Sequence, residues 1–543
     1  MPAPPTQEWL AKQYHSGRFD LLNAHVLHDN EQEALTKAFD DLAIEISGVS
    51  RVKRTSLVSH IQSQLPRDLP TVFADHLYRM LVYLSTAPLY RAPDAPLPGS
   101  LSVSEIQHAL AWLLPGRQLY MSETGNMGRM RTPADGRRLL FQSLAERHIS
   151  TPESPNKEAA RRDYAHRNAF DMEYAKKFAR STEYLNSILT EWCKINRDDD
   201  GDEMFHDVLD VLHKNVPDNF PYGSKRDDLR PLAKELKADF ELHNLAIPRV
   251  DLKEFVRALL ILQIEQAEHA RSSLEPAASQ SFDEAAASVM ATFACDDKEL
   301  AAAFPEGQDL VAWPAFDQGL KQIAHLFDPL YRVVIDVFLD GHAADTDIVS
   351  LYEVPPELQT GQQTQGGHYI LSVSWLTLTC ALLPALVDLD DFHTVVRWYN
   401  RITDVKPDSD AIWAHVRPQV LKEGQDRPAT TVLAFSCQDQ ASGGRFKAGV
   451  MVAVDYDRNR GRDLLYSLHI FQLAPSARYA KLLGQTCQKE SDTRLVFGDA
   501  SQTQAPYRIE LHMEKMEAKV EALASGQSHT IKLDALEVWK DGE

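Results

Sequence analysis

Behind Asn30, apolar side chains recur at Leu35, Phe39, Leu42 and Ile46, the spacing of one helix face. Behind Asp251 the same spacing groups Phe255, Leu259 and Leu262. Four pairs read as helix starts, with a capping side chain followed three residues on by Glu: Asn30/Glu33, Ser102/Glu105, Asp251/Glu254 and Ser281/Glu284. After about Val395 the pattern changes to short runs rich in β-branched and aromatic residues, broken by turns. Strands are expected at Thr430–Cys437, Val450–Tyr456, Leu464–Leu473, Arg494–Phe497, Tyr507–Met513 and Thr530–Val538. Alternation of Ile509, Leu511 and Met513 marks a strand with one buried face. The expected fold class is therefore α+β and multidomain, helical first and β-rich last.

At 543 residues the chain is too long for one core. Breaks rich in Pro, Gly and Ser divide it into a helical region over 1–270, a helical segment over 281–345, a linker over 355–367 and a β-rich domain over 368–543. No internal repeat suggests a solenoid. Tyr369–Val387 is uncharged throughout, but it contains Ser372, Ser374, Thr377, Thr379 and Pro384, so it reads as a buried core element rather than a membrane span.

Composition narrows the function. A net charge of −21 disfavours nucleic acid and anionic lipid, and favours protein partners with basic patches. Five cysteines, at 193, 295, 380, 437 and 487, are odd in number and unpaired in spacing, and no secretory signal opens the chain, so reduced thiols and a cytoplasmic location are expected. Pro2 and the Lys540–Glu543 ending offer no lipidation site.

The chain contains no phosphate-binding glycine loop, nucleophile elbow, zinc spacing or helical metal pair, and His206 and His213 stand seven residues apart where a metal pair prefers four. The expectation is a protein without catalytic activity. Calcium is the one cofactor the sequence admits. Within an EF-hand-like segment over 182–214, Asn196, Asp198, Asp200 and Asp207 fall at loop positions one, three, five and twelve, with Gly201 at the sharp turn and Asp202 offering its carbonyl. Asn at position one, Glu203 in place of an apolar residue, and the short Asp207 depart from that pattern. Both an ion site and a solvated acidic loop remain open at this point.

The last third carries an ordered set of features: Pro384, then Trp398-Tyr399 and a polar loop at 408–410; Ala429–Cys437, the turn Gly443-Gly444-Arg445-Phe446 and a strand from Gly449; Leu468–Leu473 containing Phe471; Leu495–Gly498; and Ile531–Trp539 containing Glu537. In this order they resemble the TLDc domain family, a β-sandwich module of oxidation resistance proteins and of fungal restriction of telomere capping proteins. Trp313–Phe327 is similar to the helical segment that precedes the module in the telomere-capping group, and the acidic loop suits relatives with EF-hand-like N-terminal halves. The polar loop lacks the family's Asp-Gly-x-Ser form, and Glu514–Glu521 replaces a glycine-rich segment.

The resemblance implies a regulatory adaptor. Its partner would be the vacuolar proton-pumping ATPase, whose disassembly it would promote, with a link to oxidative-stress tolerance and peripheral attachment at the vacuolar membrane. Trp398, Gly449, Phe471, Gly498, Glu537 and Trp539 would build the sandwich rather than a reactive site. The alternative is a calcium-responsive EF-hand-like scaffold. Peroxide chemistry is disfavoured, because no cysteine is placed to lower its thiol pKa.

Overall fold

The computed structural model describes residues 27–65, 69, 71–87, 96–115, 133–148, 207–209, 211–212, 226–236, 242, 245–265, 276–294, 309–340, 352–353, 373–382, 393–399, 408–416, 430–438, 445–456, 464–474, 476–483, 487–498, 507–522 and 527–540. They belong to two compact units. One draws on residues 1–255, 293–320 and 330–348, the other on 256–292, 321–329 and 349–543. The fold is α+β. The units interleave along the chain instead of following the expected boundaries at 270, 281 and 345, and the expected linker at 355–367 lies outside the described residues.

The first unit is mainly helical. Helices α1 (Asp29–Asp40), α2 (Arg54–Gln64), α3 (Thr71–Thr86), α4 (Val103–Leu113), α5 (Pro133–Leu144) and α6 (Arg226–Leu236) lie in it, together with the first half of α7 (Arg249–Leu262) and most of α9 (Trp313–Gln322) and α10 (Asp328–Leu339), whereas α8 (Pro276–Thr292) belongs to the second unit. Of the four expected capping pairs, Ser102/Glu105 closes at the start of α4: the Glu105 amide donates to Ser102 Oγ at 3.3 Å and the Ser102 amide to Glu105 Oε2 at 2.6 Å. Helix α1 instead begins after His28, whose amide donates to buried Glu31 at 2.8 Å. Asp251 and Ser281 fall inside their helices, because the chain turns helical earlier, directly after Pro248 and at Pro276.

Helix α1 also stops short of Leu42 and Ile46. Residues Ala43–Ile46 form β1, paired with β2 (Val49–Lys53) through a two-residue turn at Ser47 and Gly48. Both turn residues have positive φ, 53° and 78°, as a hairpin turn of this length requires.

Strand-to-helix junctions pair twice in this unit. Strand β2 runs into α2 and pairs with β3 (Ser100–Leu101) ahead of α4; β5 (Leu245–Pro248) runs into α7 and pairs with β7 (Leu310–Ala312), which runs into α9. Strand β4 (Arg147–His148) extends the second pair. Aromatic side chains fill the space behind them: Phe73 stacks on Phe255 at 5.0 Å between ring centres, and Phe141 lies 5.5 Å from both Trp313 and Phe316.

The second unit is built on antiparallel strands β9 (His393–Tyr399), β10 (Thr431–Gln438), β11 (Arg445–Tyr456), β12 (Leu464–Ala474), β13 (Arg478–Leu483), β14 (Cys487–Ser491), β15 (Arg494–Phe497), β16 (Tyr507–His512), β17 (Glu517–Ala522) and β18 (Gln527–Lys540). Their order is β13-β12-β11-β10-β18-β17-β16-β15-β14, with β9 also on β18. A short parallel pair, β6 (Ile264–Glu265) with β8 (Tyr352–Glu353), stands apart.

Strand β18 is the joint. Its residues 527–532 pair with β17, and its residues 533–540 lie against β10. One core receives side chains from both half-sheets: Leu433, Val450 and Ile470 from one, Leu495, Ile509 and Leu511 from the other, with Leu536 and Val538 of β18 between them. Helix α12 (Ser409–Val416) adds Ile412 and Val416 to the same core.

The uncharged stretch after Tyr369 contains helix α11 (Val373–Leu382), in which Trp375, Leu376, Leu378, Cys380 and Leu382 are buried. No described helix is long and apolar enough to cross a membrane. Helix α8 joins this unit because it packs on β12. There the Thr292 hydroxyl donates to the Ala477 carbonyl at 2.8 Å, and that of Ser288 donates to the Leu473 carbonyl.

Candidate functional site

Of the residues named from the sequence in the β-rich domain, Trp398, Gly449, Phe471, Glu537 and Trp539 fall on β9, β18, β11 and β12, strands that adjoin directly or through β10. Register places Glu537 opposite Ala434, Ala434 opposite Gly449, and Gly449 opposite Phe471, so three of them lie in one row across β18, β10, β11 and β12. Trp539 stands two residues along β18 and donates from Nε1 to Glu537 Oε2 at 3.0 Å. Leu536 and Val538 point into the core, so strand alternation puts Glu537 and Trp539 on the opposite face. That face is covered. Phe471, Glu537 and Trp539 are each no more than 1% exposed, and Lys447 on the same face of β11 lies with Nζ 4.4 Å from the centre of the Trp375 ring of α11.

Trp398 stands opposite Leu536 on β9. Gly498, just past β15, has φ +94°, a conformation side chains other than glycine's adopt only at a cost. A methyl group built on Gly449 would sit 2.4 Å from the Leu433 carbonyl oxygen and 2.6 Å from the Phe471 ring. Because backbone on a central strand cannot yield, Gly449→Ala is expected to destabilise the protein by about 1–3 kcal/mol, read as a lowered denaturation midpoint. An unchanged midpoint would contradict this packing.

The acidic loop has a different fate. Asn196, Asp198, Asp200 and Asp202 lie outside the described residues; Asp207 lies inside them and is buried. Both of its carboxylate oxygens accept from Arg138 of α5, Oδ2 from Nη1 at 2.8 Å and Oδ1 from Nη2 at 3.0 Å. Arg138 Nη1 also donates to Gln142 at 3.0 Å, and Asp135 lies 3.6 Å from Nη2. The carboxylate expected to close an ion loop is instead half of a buried, two-pronged ion pair. The sequence hid this partner, because Arg138 is 69 residues away and nothing in its surroundings sets it apart.

Burial pushes the Cys380 thiol well above its ordinary pKa, which keeps it protonated and poorly nucleophilic. Among the described residues no group of His, Cys, Asp and Glu is arranged to hold a metal ion.

An open polar arrangement lies on the other half-sheet. Leu495, Ile509, Leu511 and Ala518 face the core, so Arg494, Arg508, Glu510, His512 and Lys519 lie on the opposite face. Glu510, only 4% exposed, sits at its centre. It accepts from Arg494 at 2.6 Å and pairs with Arg508 at 2.9 Å, while His512 lies 3.6 Å away. Glu490 of β14 takes the other arm of Arg494 at 2.7 Å, and Lys519 pairs with Glu521 on β17. The result is a lattice of alternating charge, partly exposed at Arg494 and His512.

Burial acts to raise the Glu510 pKa, but the Arg494 hydrogen bond and the charges of Arg508, Arg494 and Lys519 outweigh it and hold the carboxyl below its usual range. A depressed folded-state pKa contributes stability above the unfolded value, and that stability disappears as pH falls through the folded value. Melting temperature should therefore drop as pH falls below about 4, with a shallower drop in Glu510→Gln. Parallel profiles for the two proteins would refute the assignment. The signal was present in Arg508-Ile-Glu510-Leu-His512, where charged and apolar residues alternate, but alternation alone does not show which charges meet across strands.

The chain matches no family model, no curated protein and no solved structure.

Proposed function

We propose that this protein is a non-catalytic adaptor whose second unit is a TLDc-like module, and that the module binds the peripheral sector of the vacuolar proton-pumping ATPase and promotes its disassembly. The observation that carries the reading is the ionic lattice around Glu510, where fixed charges of both signs lie on a broad sheet face with Arg494 and His512 partly exposed. Such a face suits recognition of a complementary protein surface, and it holds its carboxylate ionised rather than poised for proton transfer. Support for the family comes from order: the sequence features that carry the resemblance fall on β9, β10, β11, β12, β15 and β18 in succession. The link to oxidative-stress tolerance and to the vacuolar membrane follows from the same resemblance.

The test uses the full chain, because α8 and α11 pack on β12 and a cut ahead of the sheet would strip it of their cover. Lys532 of β18 is exposed and stands opposite Glu517, which stands opposite His512. Immobilised wild-type protein is expected to retain the purified peripheral sector of the ATPase, and the variant His512→Glu/Lys532→Glu to retain markedly less. Failure of the wild-type protein to bind would sink the reading.

The calcium-switch alternative loses one proposed ligand, since Arg138 occupies both oxygens of Asp207. Calcium is expected to leave the melting temperature where a chelator leaves it. A rise on adding calcium would restore the scaffold reading.

A further inference from the structure

The hairpin of β1 and β2 carries apolar side chains where an exposed hairpin ordinarily carries polar ones. Residues opposite each other in an antiparallel pair share a face, as do alternate residues of one strand. Register of Ile44 with Arg51 and of Ile46 with Val49 therefore places Ile44, Ile46 and Val49 together. Ile44 is 39% exposed and Val49 50%, and they are two of the four large hydrophobic residues that stand exposed among those described. The hairpin's other face turns inward at Val52, which is 1% exposed and pairs with Leu101.

Strand β1 ends its sheet, in the order β1-β2-β3, so among the described residues one side of its backbone has no strand partner. Its four pairs run without a bulge, and it contains neither the proline nor the lysine that commonly blunts an edge. Charge about the hairpin is mostly acidic, although Lys53 of β2 is exposed. On β2 and α2, Arg51 is held by Glu105 at 2.8 Å and Arg54 by Asp75 at 2.9 Å. On α1, on the turn that follows it and on β1, Glu33, Asp40, Asp41 and Glu45 are exposed, and no ion pair neutralises them among the described residues. Glu33, Asp40 and Asp41 line one shallow depression on α1 with Lys37 as its only base.

We propose that the edge of β1 accepts an extended, basic segment of a partner protein as an added strand. Backbone groups of the segment would pair with those of Ala43–Ile46, its lysines or arginines would meet Asp40, Asp41 and Glu45, and its alternate β-branched residues would cover Ile44 and Val49. A second copy of this chain is the wrong occupant: two-fold pairing would set the acidic edge against itself on a protein of net charge −21.

Fluorescence anisotropy of labelled Lys-Val-Lys-Ile-Lys-Val-Lys with the full chain tests this directly. The lysine peptide should bind and its glutamate counterpart should not. The variants Ile44→Lys/Glu45→Lys and Val49→Lys, each checked for an unchanged melting temperature, should raise Kd by about tenfold or more. Methylating the peptide's alternate amides on one backbone edge should abolish binding, while methylating those on the other edge should not. Absence of binding by the lysine peptide, equal binding to the variants, or indifference to both methylation patterns would overturn the proposal, the last by reducing it to charge attraction alone.

Discussion

Arg138→Ala should lower the unfolding free energy of the first unit by about 3–5 kcal/mol, the cost of leaving a buried charge without its partner. Arg138 is 3% exposed at its side chain, and its guanidinium serves Asp207 with two hydrogen bonds, Gln142 with a third and Asp135 through charge. Truncation removes the cation that both buried aspartates face. Asp207→Asn should cost less, because the amide oxygen still accepts one hydrogen bond and Arg138 keeps Asp135 nearby. Replacing Arg138 and Asp207 together by Met and Leu should recover only part of the loss, since that pair then carries no desolvation penalty but buried Asp135 still lacks the Arg138 cation. Urea denaturation of the four proteins checks the series. A loss under about 1 kcal/mol for Arg138→Ala would mean that the pair is solvated, as a surface ion pair is.

Trp539→Ala should cost about 3–5 kcal/mol, the range for emptying an aromatic site in a packed interior. Trp539 is 1% exposed on the strand that joins both half-sheets. Its second role separates from its volume by Trp539→Phe, which retains most of the ring's bulk but removes the donor to Glu537. Leaving a buried acceptor short of a donor costs about 1–3 kcal/mol. The phenylalanine variant should therefore fall between wild type and alanine, and its deficit should shrink in a Glu537→Gln background. Equal losses for Phe and Ala would show that the hydrogen bond, not the packing, dominates.

What the sequence showed and what it concealed divide along physical lines. The six expected strands are all present, because each carries its own run of β-branched and aromatic residues. Strands β13, β14 and β17 are not among them, and β17 falls in the charged run Glu514–Glu521. Its buried positions are Ala518 and Val520, one of them too small to register as an apolar stripe. Helix α1 was extended too far because Leu42 and Ile46 satisfy helical spacing and strand alternation alike, and the Ser47-Gly48 turn decides between them. Unit boundaries were illegible for another reason: α8 belongs with the sheet through Ser288 and Thr292, whose partners at Leu473 and Ala477 are 185 residues away. At the sites, Phe471, Glu537 and Trp539 are buried, and Gly449 stands opposite Phe471 in the register. The sequence left Asp207 open between an ion ligand and a solvated acidic loop, because a buried arginine partner leaves no local mark.

Placement of β18 also sets a schedule for the growing chain. Strands β10 and β17 are made before the strand that fills the gap between them, and β9, 393–399, must wait until residues 535–540 emerge to find its partner. Until then both flanks of the gap display unpaired backbone. Completion of this unit is thus deferred to the end of its own synthesis, and a ribosome that stalls ahead of residue 527 exposes two adhesive edges at once. Cells short of chaperone capacity should lose this protein to aggregation earlier than one whose sheet closes strand by strand.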